Sequence, residues 1–280
     1  MTTSPLRVPL LLNASFSLGT GLLSLLVPDA MHLFLGAGPP VAYRVLGAML
    51  VGYSAGLFAL GFRPNALLAA LASLADLAWV AGSAAILIGW SGAFTVRGEL
   101  ALVGIAAIVG LFAWLQLRAI RAGFRFAGAR AEYQVRVSVP TSASPTAMWN
   151  VIRDIGNIQR YLPSLRSSEI VGGWAPGIGA VRQCIDHKGA KWFELCDTWD
   201  EGSAFSVVFN TAADDFPFPF SSMRGGWQVD GTSFGCSVTV WWRVVPRRPL
   251  IAGLLFPLME RRVKSDFGKV INRMAVAALR

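Results

Sequence analysis

The residues of this chain that could do chemistry are few, and one of them lies in an unusual place. Asp76 falls near the middle of a long apolar stretch, where an ionised carboxylate is costly. A residue of this kind is typical of a site for a proton, an ion or a ligand headgroup, or of a structural carboxylate held by polar neighbours. Asn13 and Arg44, in the other apolar stretches, are candidate polar partners for Asp76. These stretches supply no second acid, so the sequence defines no proton relay.

The second half of the chain offers little for catalysis. Its one histidine, His187, falls in a predicted turn, so a serine–histidine arrangement lacks a partnered base. Glu194 and Asp197 are three apart on a predicted strand and face opposite sides of it; we expect both to be solvated. The three cysteines lack metal-ligand spacing, so neither a disulfide framework nor a metal site is predicted. No cofactor is expected.

Composition separates the chain into two parts. Charged residues make up 15% of its 280 residues and the mean hydropathy is +0.52, whereas a soluble domain carries about 25% charged residues. Residues 1–131 hold eight arginines, no lysine and three acids. The remainder has the composition of a soluble domain. This balance excludes both a disordered chain and an ordinary soluble enzyme.

Four apolar stretches in the first part are each long enough to cross about 30 Å of hydrocarbon. They cover residues 6–27, 41–62, 66–90 and 100–120. They predict a four-helix transmembrane bundle over residues 1–120, with Gly52 and Gly56 as a close helix contact. Six arginines flank one side and two the other. The positive-inside rule therefore predicts an integral protein of the cell or inner membrane, with both termini and the C-terminal domain in the cytoplasm.

The periodicity changes after a basic juxtamembrane connector at residues 121–131. Alternation from Tyr133 predicts a strand, and Ser144-Pro145 predicts the cap and first residue of a helix. Six further strand-like runs, divided by glycine turns, predict an antiparallel meander. A long amphipathic helix ends the chain, at about residues 249–279, and is the one large element available to cover the sheet. The predicted fold class is α+β.

Five motifs follow one another in residues 132–280. They are Val137-Ser138-Val139-Pro140, Ser144-Pro145-Thr146-Ala147-Met148-Trp149, Asp154-Ile155-Gly156-Asn157, Gly177-Ile178-Gly179-Ala180-Val181-Arg182, and Trp227 before Asp230-Gly231-Thr232. In this order they resemble the helix-grip domains of the START-like / polyketide cyclase superfamily, SRPBCC. The resemblance implies a sheet wrapped around the last helix and a deep apolar cavity for lipids, sterols or aromatic polyketides. It carries over no catalytic residue, and residues 1–131 resemble no family that we recognise.

The predicted strands and helices supply candidates to line such a cavity, with a one-residue ambiguity in the facing of each strand. They are Trp149, Cys184, Trp192, Phe205, Val207, Trp227, Trp241 and Phe267. The resemblance also implies a mouth formed by three connections, which carry Lys188 and Lys191, then Phe216, Phe218 and Phe220, then Arg247, Arg248, Leu254 and Phe256. Cations beside exposed apolar groups suit an anionic leaflet. The alternative is that the rings pack on the domain itself.

Three functions remain open at this stage. The first is membrane-anchored binding or transfer of a lipid or other hydrophobic small molecule in a cytoplasmic helix-grip cavity, with membrane lipids as partners. The second is a cyclase- or dehydratase-like enzyme, which needs an ionisable side chain such as Asp186, Glu194 or Asp197 inside the cavity. The third is a transporter or sensor that uses Asp76. No recognition motif for nucleic acid is present, and the sequence predicts no particular oligomeric state.

Overall fold

The computed structural model describes residues 4–126 and 132–280. The chain divides into two compact units, of which the first ends at Gly123 and the second begins at Phe124. The first, which we call the helical unit, contains helices only, and the second, the β domain, contains one antiparallel sheet. The predicted fold class, with apolar helices followed by an antiparallel sheet and a long helix, is therefore confirmed.

The helical unit contains five α-helices in its described part. They are α1 (Arg7–Leu26), α2 (Pro28–Leu35), α3 (Pro40–Phe62), α4 (Ala66–Trp90) and α5 (Val96–Phe124). All but α2 are long and apolar enough to cross a bilayer, in agreement with the four predicted stretches. The short α2 was not predicted. It begins at Pro28, whose fixed φ suits a first helical turn, and stops at Gly36, which adopts a left-handed φ of 89°.

Helices α1 and α3 cross at two glycines. A Cβ added to Gly47 would lie 2.6 Å from the carbonyl oxygen of Gly21, and one added to Gly21 would lie 3.0 Å from that of Gly47. The predicted contact at Gly52 and Gly56 is wrong, because an added Cβ would meet no atom within 4 Å at either position. The small residues that matter are those where the two backbones touch, since van der Waals packing holds apolar helices together in lipid.

The β domain is a seven-stranded antiparallel sheet with two α-helices. The strands are β1 (Tyr133–Thr141), β2 (Leu165–Val171), β3 (Val181–Asp186), β4 (Lys191–Asp200), β5 (Ala204–Phe209), β6 (Phe220–Thr232) and β7 (Gly235–Pro246), in the spatial order β1-β7-β6-β5-β4-β3-β2. The helices are α6 (Pro145–Ile152) and α7 (Ala252–Ala278), and short 3-10 helices cover Ile155–Arg160 and Pro249–Ile251. This order of elements confirms the predicted helix-grip fold.

Local sequence explains two of the boundaries. The Ser144 hydroxyl accepts a hydrogen bond from the amide of Ala147 (3.2 Å) and so caps α6, with Pro145 at its first position. The β6–β7 hairpin turns at Gly235, where φ is 136°. An added Cβ there would lie 2.2 Å from the carbonyl oxygen of Thr141, so only glycine fits between the hairpin and the end of β1.

Helix α7 packs on the sheet through one apolar stripe. The buried members of this stripe are Phe256, Val270, Ile271 and Met274, and the half-buried members are Leu255, Met259, Val263 and Phe267. Most of the backbone contacts of α7 are with β1, at one edge of the sheet, and with α6. Side chains rather than helix backbone therefore cover much of the inner face of β3, β4 and β5.

Candidate ligand-binding site

The inner face of the sheet is mostly apolar. Alternate strand residues share one core with the buried face of α7, as expected for a period of two; these include Val135, Val137, Phe205, Val207, Trp227, Val229, Val238, Val240 and Trp242. Trp192 and Phe218 pack against the same core but are only half-buried, with ring centroids 5.2 Å apart. They mark a part of the interior surface that solvent reaches.

One charged cluster interrupts this apolar face. Arg182 on β3 and Glu194 on β4 lie opposite each other in register and form a buried ion pair. Arg182 also donates from Nη1 to the carbonyl oxygen of Ile155 (2.9 Å). The indole N–H of Trp192 donates to the second oxygen of Glu194 (2.7 Å), and the Cys184 thiol lies 3.8 Å from the same oxygen. The two charges are thus satisfied within the domain, as burial requires.

Burial and charge act together on the ionisable groups of this cluster. Burial is the largest single influence on the pKa of Arg182 and lowers it, but Glu194, Cys184 and Cys196 together raise it by more, so the pKa lies above its usual value and the guanidinium stays charged. Burial raises the pKa of the Cys184 thiol to about 12, with the Glu194 charge adding to the effect. Burial also raises the pKa of Cys196 to about 11. Neither thiol is ionised at neutral pH, so neither is an activated nucleophile.

Of the candidate carboxylates, Glu194 does not lie where the sequence suggested. Glu194 was expected in solvent, but it faces inward and is 3% exposed. Asp197 faces the other side, as the spacing predicted, and pairs with Arg224 (2.9 Å). Asp186 accepts hydrogen bonds from the amides of Lys188 and Ala190 and closes the β3–β4 turn. Within residues 4–126 and 132–280, no three His, Cys, Asp or Glu side chains are grouped to hold a metal ion.

Most of the predicted lining residues lie in this interior. Those in the buried core are Trp149, Cys184, Phe205, Val207 and Trp227, and those half-buried against it are Trp192 and Phe267. The prediction that Trp241 lines the interior is wrong. Trp241 lies on the outer face over Gly226, with its ring 4.8 Å from the Arg243 guanidinium. Trp242 takes the inner position next to Phe267, at 4.6 Å between ring centroids. Binding by any of these residues stays a prediction.

Three connections lie at one end of the sheet, which we call the rim. It consists of the turn 187–191, the loop 210–220 and the segment 247–256, which includes the first residues of α7. Antiparallel pairing brings them together, because each follows a strand that runs in the same direction. The first residue of β1, Tyr133, pairs with Val244 near the end of β7. The rim is therefore also the end at which the chain enters the sheet.

The rim is less aromatic at its surface than the sequence suggested. Phe216, Phe220 and Phe256 are buried, and Phe218 is half-buried. Of the two alternatives that the sequence left open, packing of the rings on the domain itself is the one observed for these three residues. Phe216 packs edge-on to Phe218 (5.4 Å between centroids), and Phe256 stacks on both Phe124 and Tyr133, at 5.7 and 4.5 Å.

Other side chains supply the exposed surface of the rim. Leu250 is 85% exposed and Ile251 is also exposed, whereas the predicted Leu254 is half-buried. The cations Lys188, Lys191, Arg247 and Arg248 are all exposed. Arg247 also has a structural role, because it donates to the carbonyl oxygens of Phe220 and Thr211, at 3.1 Å each. Two aliphatic side chains beside basic groups thus replace the predicted aromatic surface.

A second polar cluster lies in the helical unit. Asp76 on α4 is 3% exposed and accepts hydrogen bonds from three other helices. The donors are Asn13 of α1 (2.8 Å), the Tyr53 hydroxyl of α3 (2.9 Å) and the Gln116 amide of α5 (3.3 Å). Asn13 was a predicted partner, whereas Arg44 is exposed and is not among these donors. Sequence reasoning missed Tyr53 and Gln116, although a lone glutamine in an apolar stretch is itself a signal.

Comparisons with known proteins concern the β domain. Residues 132–278 match the family described as "Polyketide cyclase / dehydrase and lipid transport". Similar solved structures include Ara h 8.0201 (14% identity, TM-score 0.43, 53% of this chain and 98% of that one). They also include the Zhui aromatase/cyclase from Streptomyces sp. R1128 (19% identity, TM-score 0.41, 53% of this chain and 94% of that one). A third is norcoclaurine synthase from Thalictrum flavum in complex with dopamine and hydroxybenzaldehyde (15% identity, TM-score 0.42, 52% of this chain and 87% of that one). No curated protein matches the sequence.

Proposed function

The chain belongs, through residues 132–278, to the polyketide cyclase/dehydrase and lipid transport family, and on that premise we propose that it is a membrane-anchored carrier of a hydrophobic ligand. The ligand is a lipid or another apolar small molecule. It binds between α7 and the inner face of β3, β4 and β5. The predicted lining residues Trp192, Phe205, Val207 and Phe267 contact it, together with Trp242 in place of Trp241.

The observation that carries the proposal is a mostly apolar inner face on which the buried charges of the described residues, Arg182 and Glu194, are paired with each other. An apolar ligand gains about 0.8 kcal/mol for each methylene that it removes from water, so it needs few polar contacts. The Trp192 indole is the polar group of the cluster nearest to the half-buried surface. Because its N–H is held by Glu194, the ring has a fixed position against which a ligand can pack.

Access to this interior is proposed between α7 and the loop 210–220. Met259 and Val263 on α7 and Phe218 in the loop are half-buried. The backbone of α7 makes most of its contacts with the sheet at one edge, with β1. Rotation of a few side chains therefore opens this side without separating the helix from the sheet, and a ligand enters here.

The membrane anchor is proposed from the four long apolar helices and from the character of the rim. Leu250 and Ile251 are exposed and follow the exposed Arg247 and Arg248 in the chain, and Lys188 is exposed at the same end of the sheet. Aliphatic side chains next to cations bind a membrane surface that carries anionic lipids, with about 1 kcal/mol from each basic residue. The excess of arginine at residues 118–130 supports a cytoplasmic β domain. Its ligand would then come from the inner leaflet.

The test uses the full chain in nanodiscs and a photoreactive fatty acid that carries a diazirine. We expect labelling of peptides from β3, β4, β5 or α7. Val263→Trp places a large ring in the proposed entrance and should lower this labelling several-fold, whereas Val276→Trp, at an exposed position of the same helix, should not. Equal labelling of both variants, or labelling confined to other peptides, would contradict the proposal.

A second candidate function, catalysis of the cyclase or dehydratase type, is favoured by the inward position of Glu194. Its carboxylate is engaged by Arg182 and Trp192, so it acts on a substrate only if a ligand group displaces the indole. Mass spectrometry of ligands that co-purify with wild type and Glu194→Gln separates the two functions. A dehydratase leaves the variant with a bound molecule heavier by one water, whereas a carrier leaves both with the same molecule.

A further inference from the structure

The helical unit contains a cavity of about 650 Å³ that the proposed function does not use. Side chains of all five helices, α1 to α5, line it, and most of them are apolar. Some, such as Met49, are exposed, so the cavity is partly open to the surroundings of the helical unit. The polar members of the lining include Thr20, Tyr53, Asp76 and Trp79. Its volume falls within the range of about 300–1,000 Å³ that is typical of small-molecule sites. The cavity thus combines an apolar body with a localised polar wall.

Two polar groups of this wall have unused capacity for hydrogen bonds. The Asp76 carboxylate accepts three hydrogen bonds, whereas an ionised carboxylate offers about four acceptor sites. The indole N–H of Trp79 is buried and has no hydrogen-bond partner in the described ranges 4–126 and 132–280. Asp76 and Trp79 are three residues apart on α4 and therefore share one face of the helix. A buried donor without a partner calls for an acceptor in the adjacent space.

We propose that this cavity binds a neutral, membrane-soluble alcohol, as a site separate from that of the β domain. The hydroxyl oxygen of the ligand accepts a hydrogen bond from Trp79, and its proton is donated to Asp76. A hydroxyl meets both needs in one group, whereas an ammonium cannot accept and an ester or ketone cannot donate. The hydrocarbon part of the alcohol packs against the apolar wall, which includes Met49, Ile86 and Leu102.

The cavity wall offers a position at which the site can be filled. Gly82 lines the cavity, and a Cβ added there would meet no atom within 4 Å. Gly82 is exposed, so a leucine there has room at its Cβ, and we expect its side chain to fill part of the cavity. Gly89 lies on the same helix with equally open surroundings but is not part of the lining. Gly89→Leu is thus a matched control for Gly82→Leu.

The experiment uses the full chain in phosphatidylcholine nanodiscs and two probes. One is a long-chain primary alcohol that carries a diazirine, and the other is its methyl ether. We expect the alcohol to label peptides of the helical unit. Gly82→Leu should lower that labelling about tenfold, which corresponds to about 1.4 kcal/mol, whereas Gly89→Leu should leave it unchanged. Trp79→Phe should lower it about fivefold through loss of one hydrogen bond, and Trp114→Phe, at an exposed position on α5, should not.

Two results would overturn this inference. If the methyl ether labels the helical unit as strongly as the alcohol, a hydroxyl is not recognised. If Gly82→Leu is labelled like wild type, the ligand does not occupy the cavity. Because labelled peptides are identified by mass spectrometry, label in the β domain alone refutes the helical site and leaves the proposed function intact. Label in the helical unit alone supports the helical site and shows that the β domain does not bind this alcohol.

Discussion

Each unit of the molecule buries a carboxylate, and the two are held in different ways. Glu194 in the β domain faces a guanidinium on the adjacent strand. Asp76 in the helical unit is held by three neutral donors of the described residues, one from each of three other helices. A counter-charge satisfies a buried acid fully and fixes two neighbouring strands to each other. Neutral donors hold several helices at one point and leave the acid able to bind one more group. The first arrangement stabilises a fold, and the second suits recognition.

The strongest test of this difference is Arg182→Met, which should cause the largest loss of stability. Removal of one partner from a buried ion pair costs about 3–5 kcal/mol, because the remaining charge is left unpaired. The free energy of unfolding would be measured by urea titration of the full chain in nanodiscs, followed by near-ultraviolet circular dichroism. The double variant Arg182→Met/Glu194→Leu should recover most of the loss. A double variant as unstable as the single one would contradict the assignment.

A smaller loss is expected from Asp76→Leu. The change leaves Asn13, Tyr53 and Gln116 without their common acceptor, and hydrogen bonds between helices in membranes are worth about 0.6 kcal/mol each on average. We therefore expect about 2 kcal/mol, measured by denaturation in mixed micelles. Asp76→Asn keeps one acceptor oxygen and should lose less. If Asp76→Leu lowered the free energy of unfolding as much as Arg182→Met, the two carboxylates would not differ in the way proposed.

The smallest effect concerns the dependence of stability on pH. The pKa of Cys184 is about 12 in the folded chain and about 8.5 in an unfolded one, so the native state holds this proton more tightly. Its contribution to stability is fully present below about pH 8.5 and is lost as the pH rises toward 12. As the pH rises from about 9 to about 10.5, between these two pKa values, the free energy of unfolding of Cys184→Ala should fall less steeply than that of wild type. If the free energies of unfolding of wild type and Cys184→Ala fell with pH at the same rate, the Cys184 thiol would not be buried.

The fold was predictable because its signals are local. The Ser144-Pro145 cap, the glycine turns and the alternation of β1 each follow from a few neighbouring residues. The apolar stretches are long enough to identify without tertiary information. The short α2 lacked such a signal, since eight residues between two longer helices resemble a loop.

The candidate site was less predictable, because its contacts join distant residues. Nothing local indicates that Arg182 will face Glu194, or that Gln116 will reach Asp76 across 40 positions. The facing of β7 was ambiguous because Trp241 and Trp242 are adjacent apolar residues, so alternation alone cannot choose between them. The rings of the loop 210–220 appeared exposed because burial of a loop depends on tertiary packing.

The stacking of Phe124 and Tyr133 on Phe256 has a practical consequence for dissection of the chain. The family match begins at residue 132, which invites truncation there. A fragment cut at that point lacks one of the two rings that cover Phe256, and also Phe126, which lies 3.8 Å from the Arg243 guanidinium. Such a fragment would expose a core phenylalanine and tend to aggregate. A soluble version should begin before Phe124 and keep the last turn of α5.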